Sequence, residues 1–152
     1  MITSPNTWSC MAAAAAMAFD IQLDDLIKVI GHDGSDVLNN LPDPGCRKGF
    51  HMQEIVDAGL ALGFSLTLIE ARPIQLHIGE KEHSLDRYGL NEDRFMYYLN
   101  NYDGIIIGKA RRYWHAVAWL DNKILDPQGR IYDIEKCRIS IQSFWVIKSN
   151  QS

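Results

Sequence analysis

The chain has 152 residues, 47% of them apolar and 22% charged, with a net charge of -4. That length suffices for one domain, 1–152, to bury a core without covalent or metal staples. The negative balance, with Lys109, Arg111 and Arg112 as a short local basic group, excludes the clustered cations that phosphate contacts need, so no nucleic-acid partner is expected.

The first element is set by Asn6-Thr7-Trp8-Ser9-Cys10, followed by six alanines within residues 12 to 18. Alanine has the highest helix propensity, so a helix is predicted from near Cys10, with Ser9 or Thr7 as N-cap. A cysteine in the first turn meets unpaired amides and the positive end of the helix dipole, which favour the nucleophilic thiolate. The alternative is a small-residue core helix with a buried, inert cysteine. The apolar run lacks the basic flank and cleavage site of a secretory signal and is too short to span a bilayer. With an odd number of cysteines, at 10, 46 and 137, and no CxxC pair, the expectation is a cytoplasmic protein, or one delivered as an effector, with no membrane partner.

Leu23 to Ile30 carries apolar residues at 23, 26, 27 and 30 and predicts a second helix ending at Gly31. Residues 32 to 49 are rich in turn formers and predict a long irregular loop, bordering a substrate site. A third helix is predicted over 51–62 and a half-buried strand over 64–69. Residues 72–90 are ambiguous, with one strand near 74–78 followed by a charged, exposed loop, and are likewise expected to border the substrate site. A fourth helix is predicted over 91–100, capped by Asn91. Short strands then follow at 104–108, 113–120, 123–126, 131–134 and 143–147. Helices first and a meander of about five strands afterwards predict an α+β domain with an antiparallel sheet.

Asp121-Asn122 is a two-residue hairpin signal. Pairing 120 with 123 across it places Asp126 opposite Val117, two residues along from His115 and on the same face of the sheet. A carboxylate there holds one imidazole nitrogen and leaves the other for a thiol. Cys10, His115 and Asp126 therefore form a candidate Cys-His-Asp arrangement for nucleophilic catalysis, against the alternative of a core histidine and a turn aspartate in Asp126-Pro127-Gln128-Gly129. Cys46, His51, His77 and His83 have loose spacings for zinc, so no metal is expected. Trp8 and Trp114 flank the candidate nucleophile and base and are expected to line the substrate cleft.

Asn6-x-x-x-Cys10 before a helix, His115-Ala-Val-Ala opening a strand and Asp126-Pro-x-Gly ending the next resemble the papain-like cysteine peptidase superfamily. The likeness is to its small bacterial and phage members, the bacteriocin-processing (C39-like) peptidases, and to papain-fold deamidase effectors. The resemblance implies Cys10 as nucleophile, His115 as general base, Asp126 as orienting acid, no cofactor, and a protein or peptide substrate. The family usually carries an oxyanion-binding glutamine five or six residues before the cysteine, where this chain has Ser4 and Pro5. Asn6 is the nearest amide. Met11 also stands where the family commonly has a small residue or tryptophan. Peptide-bond cleavage is the first expectation, glutamine deamidation of a partner protein the second, and an inactive papain-fold binding module the third.

Overall fold

A computed structural model describes residues 1–38, 46–71, 75–78, 81–84, 92–110, 113–137 and 139–150. Helix α1 spans Cys10–Phe19 and α2 spans Leu23–Ile30. The alanine run makes α1 a helix without bulk. Ala12, Ala14, Ala15 and Ala16 are wholly buried, in one cluster with Phe19, Leu26, Ile55, Ile105 and Ala116. Ser9 occupies the N-cap position as expected, but its side chain makes no capping bond. Gly31, in the left-handed conformation (φ 96°), ends α2.

The segment 32–49, expected to be irregular, contains the short antiparallel strands β1 (Val37–Leu38) and β2 (Cys46–Arg47). Helix α3 spans Met52–Ala61 and starts with a reciprocal capping box: His51 accepts from the Gln53 amide while Glu54 accepts from the His51 amide. A histidine ring in the cap position does not announce itself in sequence. β3 follows at Phe64–Glu70, then a separate hairpin of β4 (Gln75–Ile78) and β5 (Lys81–Ser84), the second of which replaces part of the expected loop. Helix α4 runs over Glu92–Asn101, and the Asn91 cap falls outside the described residues.

The remaining strands are β6 (Gly104–Ala110), β7 (Tyr113–Leu120), β8 (Lys123–Asp126), β9 (Arg130–Tyr132) and β10 (Ser140–Ser149), with a 3-10 turn at Ile134–Lys136. The main sheet is antiparallel, in the order β3-β10-β6-β7-β8-β9. It therefore has six strands where about five were expected. The sixth is β3, which joins the C-terminal strands by pairing with β10 from Ser143 opposite Glu70 to Ser149 opposite Phe64. A strand so distant in sequence from its partner leaves no local turn signal.

The sheet is covered on both faces. Ile105 and Ala116 pack under α1, α2 and α3. Ile106, Val117, Trp119, Ile124, Phe144 and Val146 form a second core with Phe95 and Leu99 of α4, and the Trp119 indole N–H donates to the Leu99 carbonyl at 2.6 Å. Fully burying each large apolar side chain contributes about 1.5–3 kcal/mol. The placement of α4 on the opposite face from α1 completes a three-layer α+β architecture.

Candidate active site

The β7–β8 hairpin has the predicted register. Leu120 pairs with Lys123, Trp119 with Ile124 and Ala118 with Leu125. Asp121 and Asn122 both take left-handed backbone angles (φ 49° and 59°), as a tight two-residue hairpin with right-handed strand twist requires. The hairpin thereby brings the start of β7 to the end of β8. His115 Nε2 lies 2.8 Å from Asp126 Oδ1, and both residues are buried, at 5% and 6% exposure.

With Nε2 engaged by Asp126, the ring also acts on Cys10, at the first position of α1, and the two residues line the same cleft. Burial raises the Cys10 pKa, but the His115 ring and the Ala116 and Met11 amides outweigh it and bring the thiol below its ordinary value. Burial likewise opposes a charged His115, and the bond to Asp126 together with the influence of Cys10 outweighs it, pushing the ring up to about 9. The two shifts have opposite sense: Asp126 first and then Cys10 favour the charged ring, and the ring in turn favours the thiolate. Asp126, raised by burial but lowered more by His115, the Gln128 amide and Tyr132, stays ionised.

Sequence reasoning missed what holds that carboxylate. Oδ1 also accepts from the Gln128 amide at 2.9 Å, and Oδ2 accepts from the Tyr132 hydroxyl at 3.2 Å. The Asp-Pro-Gln-Gly turn signals the first bond, since an aspartate side chain commonly accepts from the amide two residues on. Nothing local signals the second, which depends on β9 returning beside β8 with Asp126 opposite Arg130 and Ile124 opposite Tyr132.

A cleft of about 610 Å³ opens beside Cys10, lined by Thr3, Asn6, Tyr113, Trp114, His115 and Gln128 among others. Trp114 is 59% exposed and Tyr113 52%, forming an aromatic lip next to the buried His115. Asn6 also faces the cleft, and its side-chain oxygen accepts from the Trp8 amide at 3.0 Å, so its NH2 end remains as a donor. The N-terminal segment is tied to the acid's turn by the Ser4 amide donating to Pro127 O at 2.7 Å.

Trp8 corrects the expectation. It is not among the residues lining the cleft. Its indole N–H donates to Asp33 O, and the Arg47 guanidinium lies 5.1 Å over its ring. A Cβ at Gly34 would meet the Trp8 ring at 3.0 Å, and Gly34 has φ 75°, so glycine is required there both for space and for conformation. Trp8 is thus a packing anchor for the segment before Cys10.

Of the residues weighed for zinc, His51 caps α3, while the side chains of Cys46, His77 and His83 lie outside the described residues. Among the described residues no group of three or more His, Cys, Asp or Glu gathers in a way that would hold a metal ion, and no helix is long and apolar enough to cross a membrane. No protein-family model matches the chain, and no curated protein sequence matches it.

Proposed function

We propose that the protein is a papain-like cysteine hydrolase that attacks an amide carbonyl through a Cys10 thioester, with a peptide bond as its first substrate. The observation that carries this reading is His115 held at 2.8 Å by the Asp126 carboxylate and lining one open cleft with Cys10, whose thiol it favours in the charged form. Each group suits one role. The Cys10 thiolate adds to the carbonyl carbon. The His115 imidazolium gives its proton to the departing amine as the C–N bond breaks. The neutral ring then takes a proton from water as it adds to the thioester, and collapse of the adduct breaks the C–S bond, releasing the acid and restoring the thiolate beside the imidazolium. Asp126 fixes the tautomer and supports the charged ring.

The Asn6 amide and the Cys10 backbone N–H are the donors suited to the developing oxyanion, replacing the family's glutamine. Such a donor is worth about 2.7–4 kcal/mol in the transition state. Trp114 and Tyr113, as exposed aromatics beside the base, suit contact with a polypeptide substrate. Glutamine deamidation shares the thioester, with ammonia as the leaving group. A protein of this kind needs no cofactor, and we place it in the cytoplasm or in a recipient cell as an effector.

Incubating the protein with a mixed peptide library and with glutamine-containing proteins tests the reading by mass spectrometry. Peptide fragments formed by the native protein and absent with Cys10→Ala are the expected result. Conversion of carboxamide to carboxylate without chain cleavage would replace the peptidase by the deamidase. No product from either substrate class would contradict the hydrolase and favour an inactive binding module.

A further inference from the structure

Asp126 meets partners from three directions. His115 on β7 and the amide of Gln128 both converge on Oδ1, at 2.8 and 2.9 Å, whereas Oδ2 is met by the Tyr132 hydroxyl on β9 at 3.2 Å. Two donors on one oxygen fix its position but leave the plane of the carboxylate free to turn about it. A donor on the second oxygen sets that plane, and with it the direction of the lone pair that the imidazole N–H meets.

The Tyr132 ring is seated for this task, half-buried against the core that contains Phe95, Val117, Trp119 and Ile124. Register supports it, because Ile124 opposite Tyr132 and Asp126 opposite Arg130 place β9 directly alongside the end of β8. We propose that Tyr132 is a positioning residue for the hydrolase described above, which extends the hydrogen-bonded pair His115–Asp126 to a third member and orients the carboxylate through its second oxygen. The inference rests on the hydrolase reading. It adds that the poise of the thiolate–imidazolium pair is set in part from β9.

Among the described residues, Cys137 and Arg130 are the other titratable or charged groups acting here. Burial raises the Cys137 thiol, and the Asp126 charge adds to that, while Arg130 slightly favours ionisation of the Tyr132 phenol. The phenol itself is driven above its ordinary value, chiefly by burial and then by the Asp126 charge, so it remains a protonated donor.

Two titrations on the intact chain test the proposal: thiolate absorbance, taken as a difference against Cys10→Ser, and the His115 ring-proton resonance. Tyr132→Phe removes the hydroxyl and keeps the ring. With a less ordered carboxylate, the thiolate should appear at higher pH and the imidazolium should titrate at lower pH. Each displacement should be about half to one unit, the size of one hydrogen bond's net contribution. In an Asp126→Ala background the same change should produce no further displacement, which separates positioning from a general loss of packing. Limbs left unmoved by Tyr132→Phe, or moved apart, would overturn the proposal. The native chain and His115→Ala report separately on the underlying reading. If the native thiolate forms at low pH and loses this with His115→Ala, the hydrolase reading survives whatever Tyr132→Phe does.

Discussion

At the scale of single residues, the site works by placing three ionisable groups where each changes the next. The raised pKa of His115 has a definite sign for stability. Its folded value of about 9 lies above the unfolded value of about 6.5, so its contribution is complete below about 6.5 and disappears as pH rises through about 9. Cys10 has the opposite sense: its depressed value gives stability above the ordinary thiol range, lost as pH falls through the folded value. The paired form therefore occupies a window bounded below by Cys10 and above by His115. Hydrolysis measured as kcat/KM against pH should be bell-shaped, with its upper limb near 9, and Asp126→Ala should bring that limb down. A rate that still rises beyond that limb would separate the activity from the imidazolium. Asn6→Ala should lower kcat about 100- to 1,000-fold, as loss of an oxyanion donor does, with little change in KM. Single-turnover kinetics check this.

At the scale of elements, α1 carries Cys10 and the loop before α3 supports the segment that leads into it. The alanine face of α1 is wholly buried in one cluster with Ile105 and Ala116. Ala15→Leu should destabilise by about 1–3 kcal/mol through overpacking, read from denaturant unfolding. Trp8 is fixed through residues 33 to 34, and that loop is held by His32, which pairs with Glu54 and stacks on Phe50 with ring centroids 5.2 Å apart. Glu54 also accepts the His51 amide at the start of α3. Glu54→Ala should therefore lower stability by about 0.5–2 kcal/mol, the range for a lost cap, and Gln53→Ala should have less effect. A chemical denaturation series resolves the two.

These elements differ in how openly the sequence declares them. The helix at Cys10, the hairpin turn at Asp121-Asn122 and the pairing that joins His115 to Asp126 follow from local propensity and a period-2 register, both readable over a dozen residues. The Trp8 contact with residues 33 to 34, the β3–β10 pairing and the Tyr132 hydroxyl bond all join segments far apart or separated by a turn of uncertain length. Aromatic character alone does not say whether Trp8 faces the cleft or the loop, because either environment buries the ring and satisfies its N–H.

At the scale of the whole molecule, the site depends on a sheet with helices on both faces and β6 near its centre. There the backbones approach closely. A Cβ at Gly104 would come within 2.0 Å of the Trp145 carbonyl oxygen, and one at Gly108 within 2.5 Å of the Ser140 carbonyl oxygen. In both cases the nearest atom belongs to the β10 backbone, which cannot swing aside as the end of a side chain can. Gly104→Ala should therefore separate β6 from β10 and destabilise the fold by about 1–3 kcal/mol or more. Thermal unfolding checks the loss, and amide exchange along β10 locates it.

The central claim is that Cys10 is a thiolate because His115 is an imidazolium beside it. The direct measurement is the rate of Cys10 alkylation by iodoacetamide against pH, followed on the Cys10 peptide, in the native chain and in His115→Ala. Alkylation at pH 6 far faster than a free thiol of pKa about 8.5 allows, and lost in the variant, is the predicted result. A Cys10 that is inert at pH 6, or equally reactive without His115, would contradict the account.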